Sequence, residues 1–231
     1  MPSTFKQRTA EEKAQFEIEL ARMVRTHWNH PSIVNWVVFN EHWGAYDVER
    51  LTRSVMALDP SRLVTGNSGI DAGKPNLDYE VGHLIDNHHY RPPTNPFPTS
   101  SRAAVNGEYG AIGYNVPGHL WDNDGPWVHY NYHGIDDATA EYEKFAGQLK
   151  EFKSVFALSG AVYTQWTDVE NEMNGLYTYD RQVEKLHRDR VTKANESLWR
   201  ADIAALPSPL PTPNTPARLN PTDGGAENTP P

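Results

Sequence analysis

The run Ile33-Val-Asn-Trp-Val-Val-Phe39 constrains this chain more than any other feature. It is almost unbroken, rich in β-branched and aromatic side chains, and passes directly into Asn40-Glu41-His42. An apolar run without alternation marks a strand covered on both faces, and such strands belong to parallel sheets. Parallel strands need crossover connections, usually helical. The rest of the chain should therefore alternate helices with strands.

It does. Thr9-Ala-Glu-Glu12 reads as a capping box, in which a Thr and a Glu three residues on satisfy each other's backbone donors. The helix it opens carries Phe16, Leu20, Met23, Val24 and His27 on one face and ends at Asn29-His30-Pro31. Asp47 is placed to cap a second helix bearing Val48, Leu51, Val55 and Leu58, with Tyr46 and Leu51 as a hydrophobic staple. Further strands are expected over 62–66, from Leu84 to His88-His89-Tyr90, from Ala103 to Gly107-Glu108-Tyr109-Gly110, and over 161–166 before Thr167-Asp168. A helix with Tyr142, Phe145, Leu149, Phe152 and Phe156 precedes the last of these, after a long loop over 111–135. That loop holds Tyr114, Trp121, Trp127, Tyr130 and Tyr132, which suit either an active-site rim or simple packing. The fold class is α/β, with βα units around a parallel sheet. From Leu206 the chain is rich in Pro, Thr and Asn, so 1–205 is expected to form the domain and 206–231 a disordered tail.

Composition narrows the chemistry. The net charge is −9 and no Lys/Arg run stands out, which argues against a nucleic acid or a membrane surface as partner. There is no cysteine, so disulfides, thiolate metal sites and Cys nucleophiles are excluded. No stretch approaches the ~20 apolar residues of a membrane span.

Two of the expected strands end in a glutamate, Glu41 and Glu108. Strands of a parallel sheet point the same way, so both carboxylates arrive at the face where such folds bind ligands. Cleavage of a glycosidic bond uses a carboxyl pair of this kind, one protonating the departing oxygen and the other attacking the anomeric carbon. His88 and His89 are adjacent in a strand, so at most one faces the site, and a metal centre is not expected. Of the acidic residues Asp168, Glu170 and Glu172, Asp168 lies nearest a strand end, while the segment as a whole reads as a solvated turn.

At these residues the chain resembles a known family. The stretch from His30 to Glu41 is similar to the fourth barrel strand of glycoside hydrolase family 2, which includes β-galactosidases, β-glucuronidases and β-mannosidases. The resemblance makes Glu41 the general acid/base, Asn40 a partner of the sugar 2-hydroxyl and Glu108 the nucleophile. His88-His89-Tyr90 resembles the sixth strand end, where a Tyr orients the nucleophile. The segment from Gly160 to Asp168 resembles the eighth strand, whose Trp packs under the sugar, here Trp166. The likeness covers roughly residues 20–195. It implies a partial (β/α)8 TIM barrel, about strands 4 to 8, acting as a retaining, β-galactosidase-like O-glycosyl hydrolase on a β-linked glycoside or oligosaccharide without cofactor or metal. His88, His89, Tyr90, Trp166 and Asp168 are the implied substrate contacts beside Asn40. The pattern begins just before the fourth strand, so the chain is expected to need strands one to three and the β-sandwich domains, and to be inactive alone. An inactive fragment and a non-catalytic carbohydrate-binding protein are the two alternatives.

Overall fold

The computed structural model describes residues 8–70, 78–122 and 130–199. The expected tail over 206–231 and Trp127 lie outside the described residues. In chain order the elements are α1 (Ala10–Thr26), β1 (Asn35–Asn40), α2 (Val48–Leu58), β2 (Leu63–Ser68), β3 (Leu84–His88), β4 (Ala103–Gly110), the two-residue strands β5 (Ile112–Gly113) and β6 (Tyr130–Asn131), α3 (Ile135–Phe156), β7 (Leu158–Thr164) and α4 (Arg188–Trp199).

The helices form largely where their signals lie. Thr9 closes the capping box on α1: its hydroxyl accepts from Glu12 N at 3.2 Å and its own N–H donates to the Glu12 carboxylate at 2.8 Å. Asp47 does not cap α2 as expected. It sits in the left-handed region at φ 42° and makes no side-chain cap bond. Its carboxylate instead meets Arg50, which also bonds Glu17 on α1. Tyr46 packs edge-on against Phe16 and Phe39. The helix α4 had no sequence expectation, although Val191, Ala194 and Leu198 lie on one face of it and pack against the core.

Every long strand pairs in parallel: β1 with β2, β3 with β4, and β4 with β7. The bonds His83 N to Val64 O and Ile70 N to Asp86 O tie β2 to β3. The described strands thus follow one another as an open arc of a TIM barrel, not a closed one. Two hydrophobic clusters lie under the helices. The first gathers Leu20 and Val24 of α1, Val48, Leu51 and Val55 of α2, and Trp36, Val38 and Val64 of the strands. The second gathers Tyr142, Phe145 and Leu149 of α3 with Tyr109, Ile112 and Leu158.

The expectation that the first strand is covered on both faces holds except at one residue. Trp36 and Val38 are buried on one face, and Phe39 is buried on the other, where it stacks on Phe16. Val37, on the same face as Phe39, is 42% exposed. On β7, at the other end of the arc, Val162 is 59% exposed.

One irregularity sets where the glutamate of β4 stands. The β3–β4 register pairs Asn87 with Asn106, then shifts so that His88 faces Glu108 rather than Gly107. Gly107 is the extra residue of this bulge.

Candidate active site

The carboxyl ends of β1, β3 and β4 bring together Glu41, His88, Tyr90 and Glu108. Immediately after β1 the backbone turns through two left-handed residues, Glu41 (φ 49°) and His42 (φ 63°). Such conformations cost non-glycine residues about 1–3 kcal/mol each and concentrate at functional sites. The turn is held by Glu41 N donating to Ser68 O at 2.9 Å and by His42 N donating to the Asn67 side chain at 2.9 Å. Asn40 is fixed beside it, its carbonyl oxygen accepting from the Ser68 hydroxyl at 2.5 Å.

His88 lies between the two glutamates. Its Nδ1 is 2.7 Å from Glu41 Oε1 and 3.6 Å from Glu108 Oε1, and its side chain is 2% exposed. Its Nε2 is 3.7 Å from Asp86, a buried carboxylate that accepts from Gly107 N at 3.0 Å. Two glycines permit this crowding. A Cβ on Gly69 would stand 2.9 Å from His88 Nδ1 and 3.0 Å from Glu41 Cγ, and one on Gly107 would stand 2.1 Å from Asp86 Oδ1. The Tyr90 hydroxyl donates to Glu108 Oε2.

The electrostatics follow from burial and these neighbours. Burial works against a charged His88, but the bond to Glu41 and the charges of Glu108 and Asp86 outweigh it and raise its pKa. Burial likewise pushes Glu108 up. His88 and the Tyr90 hydroxyl pull against that, while Glu41 and Glu172 push further, and the net direction is up. Burial and the Glu108 charge raise the Tyr90 phenol, which keeps it a donor.

Glu41, His88 and Glu108 offer ligand atoms within 4.8 Å of one another, a spacing that could also hold a metal ion. His88 Nδ1 also bonds Glu41 at 2.7 Å and faces Glu108 at 3.6 Å.

The other expected residues divide. His89 turns away, with Nδ1 2.5 Å from Pro92 O. Trp166, just past β7, is 69% exposed and lies 5.7 Å from the ring of Tyr177. Asp168 lies in a buried ion pair with Lys185. It is buried, accepts from Gly175 N at 2.7 Å, and holds Lys185 Nζ at 2.8 and 2.9 Å. Lys185 gives its third proton to Met173 O at 2.7 Å, so the ammonium is saturated. Burial pushes Asp168 up and Lys185 down, yet three bonds at these lengths are those of an ionised pair. Of the loop aromatics, Tyr114 lies under Lys185, Tyr130 and Tyr132 stack on Arg91, and Trp121 is 60% exposed against Tyr179. The residue that sequence reasoning passed over is Glu172. Gln165, the first residue after β7, donates to it at 3.2 Å, and its charge acts on both Tyr90 and Glu108.

A parallel β/α arc with a glutamate pair at its carboxyl ends defines the ligand face of a TIM-barrel enzyme domain. The model of the glycosyl hydrolases family 2 TIM barrel domain matches residues 4–193. The chain belongs to that family. Among solved structures it is similar to the FMN-binding β-glucuronidase from Facaelibacterium prausnitzii L2-6, with TM-score 0.57 and 17% identity over 84% of this chain and 33% of that one. It is also similar to Bacteroides uniformis β-glucuronidase 3, with TM-score 0.54 and 14% identity over 85% of this chain and 29% of that one. B. uniformis β-glucuronidase 2, covalently bound to cyclophellitol-6-carboxylate aziridine, gives TM-score 0.54 and 17% identity over 86% of this chain and 27% of that one. At these identities the likeness is one of fold. The chain spans about a third or less of each of these structures. No curated protein sequence matches it.

Proposed function

We propose that this domain cleaves β-glycosidic bonds with retention at the anomeric carbon, through a covalent glycosyl-enzyme. The observation that carries the reading is the closeness of Glu41 and Glu108, whose carboxylate oxygens come within 4.8 Å. Retaining enzymes set their two carboxyls ~5–5.5 Å apart, whereas inverting enzymes leave ~6.5–9.5 Å for a water between them.

In the first step a Glu108 oxygen forms a bond to the anomeric carbon as the glycosidic C–O bond breaks, and Glu41 gives its proton to the departing oxygen. In the second, Glu41 takes a proton from water, the water oxygen bonds to the anomeric carbon, and the ester to Glu108 breaks. Tyr90 donates to Glu108 and fixes which oxygen is free to attack. Asn40, held by Ser68, stands next to the acid/base where a sugar hydroxyl can meet its amide. Trp166 offers an exposed ring face for the sugar.

The test is hydrolysis of 4-nitrophenyl β-glycosides, by the chain alone and by the chain joined to the upstream barrel and sandwich domains of a family member. The first product is followed by NMR. Release of the β-anomer supports retention. Release of the α-anomer, or full activity in Glu108→Gln, refutes it. The structural neighbours are β-glucuronidases by name, and β-galactosidase-like activity is the other specificity within this reading.

A further inference from the structure

The glycosidase reading leaves the sugar open, and the groups around the glutamate pair bear on it. Two carboxylates meet at this mouth, and the charge of a third acts on it. Glu41 and Glu108 form the pair, and Glu172 is brought to the end of β7 by its bond from Gln165. The β4–β7 register pairs Gly110 with Thr164, so Gln165 emerges beside the strand that carries Glu108. Asp86 lies behind them, 3.7 Å from the outer nitrogen of His88.

Among the described residues, three positive charges on this side of the domain are engaged. His88 bonds Glu41 and faces Glu108. Lys185 spends all three protons on Asp168 and Met173. Arg91 stacks on Tyr130 and Tyr132 and lies 3.8 Å from Glu141. Arg8 would press a Cβ placed on Gly44, three residues beyond Glu41, at 2.7 Å, and is the cation a test must cover.

A uronic acid carries its carboxylate on the ring carbon next to the ring oxygen, only a few bonds from the anomeric carbon. Seating that anomeric carbon at Glu108 brings another carboxylate into a partly buried mouth where Glu108 and Glu172 already carry charge and Glu41 holds the proton it donates. Like charges at such range in a medium less polarisable than water repel strongly. A hydroxymethyl group at the same position carries no such penalty and can donate to a carboxylate.

We infer that Glu172 is a specificity-determining residue, and that the sugar cleaved here is one without a carboxylate, such as a neutral hexopyranoside, rather than a uronic acid. The inference rests on the glycosidase reading and deepens it.

The experiment compares matched pairs, methyl β-D-glucopyranoside with methyl β-D-glucuronide and the galacto pair likewise. Binding to the full chain is measured by ligand-observed NMR at pH 7. The neutral member of at least one pair should bind about tenfold or more tighter than its uronide, the size one like-charge contact produces. Glu172→Gln should shrink that ratio severalfold, and Glu170→Gln, an exposed residue of the same turn, should not. Raising the salt concentration on the unmodified protein should narrow the same gap, which requires no variant to fold. Equal or tighter binding of the uronides overturns the inference and leaves the glycosidase reading standing, and Arg8→Gln then tests whether its guanidinium is the cause. A ratio unmoved by both Glu172→Gln and salt also overturns it. Failure of all four glycosides to bind overturns the inference and the glycosidase reading together.

Discussion

Replacing Lys185 with Met separates two roles for Asp168. The Lys185 side chain is 0% exposed and that of Asp168 is 3% exposed. Met has nearly the same shape, so the packing loss is small and the lost charge dominates. Asp168 would retain Gly175 N as a donor but lose both bonds from the ammonium, and Met173 O would lose its partner. Removing one partner of a buried pair costs about 3–5 kcal/mol, because the other charge stays buried without compensation. With a urea dependence of about 2 kcal/mol per molar, the unfolding midpoint should fall by about 2 M. The double variant Lys185→Met/Asp168→Asn should recover more than half of this, since it removes the buried unpaired charge and the amide oxygen still accepts from Gly175 N. Urea unfolding followed by tryptophan fluorescence reads both. A midpoint drop below about 0.5 M in the single variant, or no recovery in the double, would show that the pair does not staple this loop. Asp168 would then return to consideration as a substrate contact.

Further outcomes rest on the same geometry. Tyr90→Phe removes a donor from the ionised Glu108 and should cost about 10- to 100-fold in kcat/KM, with the acidic limb of the pH profile moving up. Glu172→Gln removes a like charge and should move that limb down, which the same pH series would detect on the chain joined to the upstream domains of a family member. Because Glu108 is raised when folded, its contribution to stability is full below its ordinary value of 4.5 and is lost as pH rises through the raised value. Glu108→Gln should therefore flatten the decline in stability between 4.5 and the raised value, measured as the unfolding midpoint across a pH series. Gly107→Ala places a Cβ 2.1 Å from Asp86 Oδ1 and should destabilise the chain by about 1–3 kcal/mol, readable by calorimetry.

The sequence exposes this site because its parts sit at the ends of apolar runs. Glu41 and Tyr90 follow strands and Glu108 stands near the end of one, so strand direction alone brings them to one face. What lay hidden depends on partners distant along the chain. Asp168 has a strand-end address, but its fate is set by Lys185, 17 residues on. Glu172 reads as part of a polar turn until Gln165 bonds it. Asp47 has the composition of a cap, yet the salt bridge to Arg50 and a left-handed backbone take it elsewhere. The two-sided burial expected of β1 fails only at Val37, because the covering side chain on that face, Phe16, reaches Phe39 and not Val37. The helix α4 is mostly polar, and its three apolar contacts are too sparse to stand out from its charged residues.

The shift in pairing between β3 and β4 has a consequence for how the domain tolerates change. Upstream of it, Ile85 and Ala104 are partners and both are buried. Downstream, Gly107 resets the pairing so that His88 meets Glu108. The next residue, Tyr109, is buried in the second hydrophobic cluster. Losing the single residue Gly107 would therefore displace Glu108 from His88 and Tyr109 from its packing together, so one glycine sets the site and the core on the same strand.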